Sequence, residues 1–345
     1  MKMRIKIFLI LVISTGFCFT MNSTSFQDNV PAAFENKDSI LNTDYFSFTE
    51  ALEYVDSFQT YSFMVLYKGQ TVCEKYFRNY IRYDLINSYS MAKSYMSAIL
   101  GIAIKEKRIS LNDRVSDYVK PPLSGEGINA VNELRVRHLA TMTSGLDYNW
   151  YRDYVAMRDK DNWLEFIQTL TIKYTPGTKW EYSVDPDLLS AVLEKAVGMP
   201  LWKYAEKKLL NPIGITEGFY WARDASGMLL GDGYIFSTTE NYARFGQLFL
   251  DNGKVNGRQV IPEEWVRLST SAAGINPDYG YLWWTKDFEG LPEDLYYAYG
   301  GHGQFIVVIP SRETVIIRTG FGPNDPITEF LPTMIRKVLN DLNKN

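Results

Sequence analysis

The chain has 345 residues, 46% hydrophobic and 15% aromatic, enough apolar material for a large core and too much for a disordered chain. Its 36 basic and 40 acidic residues leave a formal net charge of -4. Basic residues cluster only at the extreme N-terminus, so the charge pattern excludes a nucleic-acid footprint.

The first residues, MKMRIKIFLILVISTGFCF, set Lys2, Arg4 and Lys6 ahead of an apolar stretch of about 13 residues, the pattern of a secretory signal. That stretch is short for a membrane span, so residues 1–22 are expected to be removed on export, leaving the chain periplasmic or extracellular. The bland alternatives are an N-terminal anchor or a buried helix. Phe17 is bulky where a lipid-anchor signal wants a small residue before Cys18, which argues against lipidation. Cys73 then stays alone in the mature chain, in an alternating apolar run that reads as a buried strand. No later stretch is long and apolar enough to span a membrane.

Residues 23–44 read as a polar linker into Ser47-Phe48-Thr49-Glu50, a capping-box pattern that predicts a short helix. "YSFMVLYKGQTVCEKYF" predicts two strands around a turn at Lys68-Gly69-Gln70. A helix follows in "NSYSMAKSYMSAILGIAIKEK", where Ser90 and Lys93 stand three residues apart and share a helix face. Lys93 is the sole charge between Met91 and Ile104, so its amine emerges from an apolar segment, where desolvation favours the neutral, proton-accepting form. The same spacing also fits two polar residues at the start of an ordinary amphipathic helix. From Asn112 to Met228 the period is mostly helical, in "NELRVRHLATMTSGL", "DNWLEFIQTL", "DLLSAVLEKAVG" and "PLWKYAEKKLL", broken by Gly and Pro. "LYYAYGGHGQFIVVIPSRETVIIRTGF" predicts successive short strands with turns at the glycines and at Pro310-Ser311-Arg312-Glu313, and a helix from Ile327 to Leu342 closes the chain. The economical arrangement is mixed α+β. An antiparallel sheet from both chain ends (45–111 and 229–345) is flanked by helices, and a mainly helical lobe (112–228) is inserted between them. A cleft between the lobes is the default place for a site.

Two histidines, His138 and His302, and the lack of a Gly-x-Ser-x-Gly elbow argue against a histidine-based α/β-hydrolase. His138, inside an apolar helical pattern, reads as a packed or surface residue. No His-Glu-x-x-His or paired-cysteine spacing suggests a metal, and no Gly-rich phosphate cradle opens a helix.

Several motifs in one order carry a resemblance: "SMAKSYMSAILGIAIKEKRISLNDRVSDYV", "VRHLATMTSGL", "YTPGTKWEYSVDPDLLSAVLEKAVGMPL" and "GYIFSTTENYARFGQLFLDNGK". From Ser62 to Asn340 the chain resembles the serine β-lactamase and penicillin-binding-protein superfamily, in its class C-like serine hydrolase branch with the 6-aminohexanoate-dimer hydrolases and esterases. The resemblance implies the β-lactamase/transpeptidase-like fold and an exported serine hydrolase that cleaves an amide or ester through an acyl-enzyme. In it Ser90 is the nucleophile, Lys93 its proton partner and Tyr182, in Tyr182-Ser183-Val184, a general base. Val184 replaces the family's usual Asn, which puts β-lactam and peptide specificity in doubt. For the third motif, Arg318-Thr319-Gly320 matches by letter and Gly301-His302-Gly303-Gln304 by context. The second is preferred because it precedes an apolar strand ending in a proline turn. This sets His302 and Gly303 by the cleft and makes the N–H of Gln304 the partner of the Ser90 N–H in an oxyanion hole. A plain turn between strands is the alternative for the glycines. Trp150, in the aromatic run Tyr148-Asn149-Trp150-Tyr151, lines the pocket or simply packs. The implied chemistry needs no metal or organic cofactor, and the partner is a small amide or ester. The competing reading is a catalytically weak module of the same fold that binds penicillin or peptidoglycan peptides.

Overall fold

The computed structural model describes residues 47–344. The expected signal segment (1–22) and linker (23–44) lie outside the described residues.

The chain enters through helix α1 (Thr49–Asp56), but the capping box does not form: the cap position falls on Phe48, which has no side-chain acceptor, and the Ser47 hydroxyl contacts the Thr49 hydroxyl instead. Strands β1 (Gln59–Tyr67) and β2 (Gln70–Tyr76) follow, turning at Lys68 and Gly69, both at positive φ. After a turn comes helix α2 (Ala92–Lys105), buried on every side from Ala92 to Ala103. The middle of the chain carries helix α3 (Asp185–Val197) and several shorter turns of helix. It also holds a two-residue parallel strand pair, 123–124 with 171–172, which helical periodicity does not announce. Helix α4 (Thr239–Leu250) leads back to three strands, β3 (Tyr296–Gly300), β4 (Gln304–Ile309) and β5 (Thr314–Phe321). Helix α5 (Leu331–Lys344) closes the chain, four residues later than the predicted start, because Pro326–Phe330 form a separate wide turn.

The main sheet is antiparallel in the order β3-β4-β5-β1-β2, so strands from the two chain ends meet at its centre, Phe63 opposite Arg318 and Tyr67 opposite Thr314. Successive side chains of a strand face opposite sides. Phe63, Val65, Val307 and Ile316 therefore join Leu331, Met334 and Val338 of α5 in one core. Met64, Leu66, Ile306 and Ile317 join α2 and α4 in the other. Because both faces are covered, the strands read as apolar runs and not as clean alternation. At Gly246 of α4 a Cβ would come within 2.6 Å of Val315 and 2.9 Å of Ile306, so glycine lets this helix lie directly on the sheet. Cys73 is a buried residue of β2 whose thiol burial pushes up to about 12, an inert packing residue as its alternating context suggested. The mixed α+β architecture, with its antiparallel sheet built from both ends and flanked by helices, agrees with expectation.

Candidate active site

Ser90 lies in a single 3-10 turn, Tyr89–Met91, that runs straight into α2. Tyr89 sits at φ +46, a left-handed conformation that costs a bulky residue energy and must be held by its surroundings. They do so: the Tyr89 N–H donates to Asn87 Oδ1 at 2.9 Å, and its carbonyl accepts from Ser88 Oγ at 2.8 Å. Ser88 in turn donates its N–H to the Ile235 carbonyl at 2.7 Å and accepts the Ile235 N–H at 3.1 Å. The bend that aims Ser90 is thus stitched to a neighbouring strand, 235–237.

Lys93 is only 2% exposed, and its Nζ donates to Ser90 Oγ at 3.0 Å and to the Asp232 carbonyl at 2.6 Å. It also stands 4.8 Å from the centroid of the Tyr182 ring. One turn of helix therefore brings hydroxyl and amine together, and the chain returns from residue 182 to close the third side. Tyr182 is 37% exposed and stacks against Trp284 at 6.1 Å, with Trp180 tilted beside it. Val184 is buried at the N-terminus of α3 and contributes packing where the resemblance expects an amide. The segment carrying Tyr182 is pinned to the loop before Tyr148 by Asp185, which accepts from the hydroxyls of Ser183 and Ser144 at 2.5 and 2.6 Å. Burial pushes the Asp185 carboxyl up to about 6, against the pull of those donors.

The region of the third motif is arranged differently from expectation. The N–H and carbonyl of Tyr297 both bond Trp284, at 2.9 and 3.0 Å, so at Tyr297 the backbone of β3 points away from β4. In an antiparallel ladder this alternates by residue, which turns Gly300 toward its partner Gln304; Gly301 lies in the turn beyond, its carbonyl accepting from Gln304 Nε2 at 3.2 Å. The Gln304 N–H is thereby committed to the sheet, and its side chain bonds the Gly320 N–H at 3.0 Å and the Gly320 carbonyl. The stretch that meets the Ser90 turn is Gly300–Gly301: a Cβ on Gly300 would come within 2.0 Å of the Ser88 carbonyl. Only glycine allows that approach.

His302 stacks on Phe321 at 4.3 Å and meets Tyr89 edge-on at 5.0 Å, so it borders the nucleophile turn as a wall, and burial lowers its pKa. Gly303, at φ +81, faces away from the site and gives its carbonyl to Arg318 Nη1 at 2.9 Å. Arg318 is fully buried; Nη1 also reaches the carbonyls of His302 and Gly322, both at 3.0 Å, and Nε reaches Thr60 Oγ1 at 3.1 Å. The residue that matched the third motif by letter is therefore a brace behind the turn that matched by context. Burial pulls its pKa down to about 9, which leaves it charged at neutral pH.

Trp150 is 46% exposed and stacks on Tyr154 at 4.6 Å, with Tyr148 edge-on at 6.2 Å. His138 accepts the Arg135 N–H on Nδ1 at 3.2 Å, a local helix cap, and burial lowers its pKa to about 4. Among the described residues no group of three or more His, Cys, Asp or Glu side chains is arranged to hold a metal ion. Sequence reasoning missed Asp187 and Asp232, buried beside Lys93, and Gly300–Gly301. Their signals, Asp185-Pro186-Asp187 before an apolar helix and Gly231-Asp232-Gly233 at a turn, look like ordinary capping and turn chemistry.

A sequence model of the family described as "Beta-lactamase" matches residues 51–326. The 6-aminohexanoate-dimer hydrolase of Paenarthrobacter ureafaciens is 25% identical over 83% of this chain and 78% of its own. A family VIII carboxylesterase superposes with a TM-score of 0.66 at 15% identity, over 85% of this chain and 97% of the other. The octameric penicillin-binding protein homologue of Pyrococcus abyssi superposes at 0.65 with 18% identity, over 85% and 76% of the two chains. These likenesses establish a β-lactamase/transpeptidase-like fold.

Proposed function

We propose that this chain, which belongs to the beta-lactamase family of hydrolases, is a serine amidase or esterase that works through an acyl-enzyme on Ser90. The observation that carries this reading is the 3.0 Å bond between Ser90 Oγ and Lys93 Nζ, an amine enclosed at 2% exposure. Lys93, with Tyr182 across from it, takes the hydroxyl proton while Oγ attacks an ester or amide carbonyl. The oxyanion is held by the Ser90 N–H and a backbone N–H of the glycine stretch that packs on its turn. The proton then passes to the leaving group, and water repeats the attack on the acyl-enzyme. Lys93 and the Tyr182 ring stand 4.8 Å apart beside Ser90, so neither is assigned the base alone.

The substrate class is a small ester or amide without a free carboxylate at the third motif, where Arg318 is occupied by three carbonyls and His302 by two aromatic rings. The N-terminal charged-then-apolar segment supports export, which fractionation of the expressing cell checks. A fluorophosphonate should label Ser90, and Ser90→Ala should lower turnover of a p-nitrophenyl ester by roughly a thousandfold or more. An unlabelled serine with unchanged hydrolysis in that variant refutes the reading. The competing reading, a binding module without turnover, draws on the apolar Val184. Rapid ester turnover that vanishes in Lys93→Ala rules it out.

A further inference from the structure

Behind Lys93 the structure encloses a second set of polar groups that the acyl-transfer scheme does not use. Asp187, on α3, is fully buried, and its Oδ1 accepts the N–H of Gly231 at 2.7 Å and of Asp232 at 3.2 Å. Asp232 is 4% exposed, and its own carbonyl is the one that accepts from Lys93. The Asp232 peptide thus links Asp187 on one side to the amine on the other. Asp187 Oδ2, Asp232 Oδ1 and Tyr148 Oη are buried without a hydrogen-bond partner among the described residues. Orphaned polar atoms are costly, and here the two carboxyls that act on Lys93 each keep one such oxygen, with the Tyr148 hydroxyl beside them.

We propose that Asp187 and Asp232 together carry a single buried negative charge that draws the Ser90 proton onto Lys93, making them positioning residues of the Ser90–Lys93 pair. The inference rests on the acyl-transfer reading of that pair. In the step, the Ser90 O–H bond breaks, an Nζ–H bond forms on neutral Lys93 and Oγ bonds the carbonyl carbon, whose oxygen takes the negative charge. The buried cluster goes from one net negative charge to none, and the same proton later leaves with the leaving group. Burial, and for Asp187 also the facing Asp232, pushes both carboxyls up, while Lys93 holds them down. Two carboxylates so placed do not both ionise beside one amine. Tyr148 and Tyr154 face the same charges from the 148–154 segment, and both phenols are raised first by burial and then by Asp232. Tyr182 faces Lys93 from the open side.

The test is the pH profile of kcat/KM for a p-nitrophenyl ester in wild type, Asp187→Asn, Asp232→Asn and the double variant, each checked for Ser90 labelling by a fluorophosphonate. Without the buried charge the cluster sheds its working proton at lower pH. The double variant should therefore move the acid limb down by about one pH unit and lower the plateau roughly tenfold, with the single variants in between. A double variant that labels at Ser90 and keeps the wild-type limb and plateau overturns the proposal while leaving the acyl-transfer reading intact. Loss of ester turnover dependence on Ser90 overturns that reading instead. Should the double variant not fold, infrared absorption of the wild-type chain at pH 8 decides: a protonated-carboxyl band supports the shared charge, and its absence refutes it.

Discussion

Two buried basic side chains stand on either side of the Ser90 turn, Lys93 at 2% exposure and Arg318 at 0%, and they are held in opposite ways. Arg318 gives Nη1 to three carbonyls and Nε to a threonine hydroxyl, all fixed backbone or core groups, while Nη2 is buried without a hydrogen-bond partner among the described residues, and no carboxylate pairs with it in those bonds. Lys93 bonds one carbonyl and one hydroxyl that can itself lose a proton, and two carboxyls lie within electrostatic reach. Burial alone therefore does not make a charge catalytic. Arg318, among dipoles that cannot titrate, is a brace; Lys93, bonded to a hydroxyl that can lose a proton, is the working part in the proposed reaction.

The contrast is broken most directly by removing each basic side chain in turn. Lys93→Met should lower kcat/KM for a simple ester by about a hundredfold to ten-thousandfold and, since it orphans one buried carbonyl, cost less stability than Arg318→Met. Arg318→Met should do the reverse, costing about 3 kcal/mol or more in denaturant unfolding by orphaning the turn carbonyls, while the folded fraction keeps more activity than Lys93→Met. Equal losses of activity in the two variants would erase the distinction.

Asp185 sharpens it, as a buried carboxyl with only hydroxyl and backbone donors around it. Its folded value of about 6 lies above the ordinary carboxylate range, so the neutral form favours folding, in acid, and that advantage is lost as pH rises through about 4 to 6. Wild type measured against Asp185→Asn should therefore lose on the order of 2–3 kcal/mol of relative stability between pH 4 and pH 7.5. The smallest effect is expected at the rim: Trp150→Ala should raise KM by roughly a few-fold with kcat almost unchanged, since the ring is half exposed and braced only by Tyr154 and Tyr148.

The helix carrying Ser90 and Lys93 was legible because its chemistry is local: three residues of one helix decide whether hydroxyl and amine meet. The terminal strands were legible too, since apolar runs broken by Gly and Pro leave few alternatives to a sheet. Tyr182 needed the order of motifs, because nothing in the local pattern of one tyrosine among 24 shows that the chain returns to Lys93. Gln304 went astray for a reason that sequence does not carry. Which N–H of a strand points outward depends on ladder phase, fixed here by the bonds between Tyr297 and Trp284, and a shift of one residue reverses it. Arg318 illustrates the same limit: its letters fit a catalytic motif, and only the register opposite Phe63 sends its side chain behind the turn.

The pairing of β1 with β5 joins residues about 250 positions apart, Gln59 with Phe321 and Tyr67 with Thr314. A ribosome delivers the serine and its lysine long before the strands that wall their cleft. For most of its synthesis the chain holds the proposed nucleophile without the strands that wall its cleft and a central strand without one of its neighbours, an apolar edge open to wrong partners. Hydrolytic competence is thus gated by completion: it arrives only when the last strands dock, and a nascent or C-terminally truncated chain is expected to be both inert and prone to aggregate.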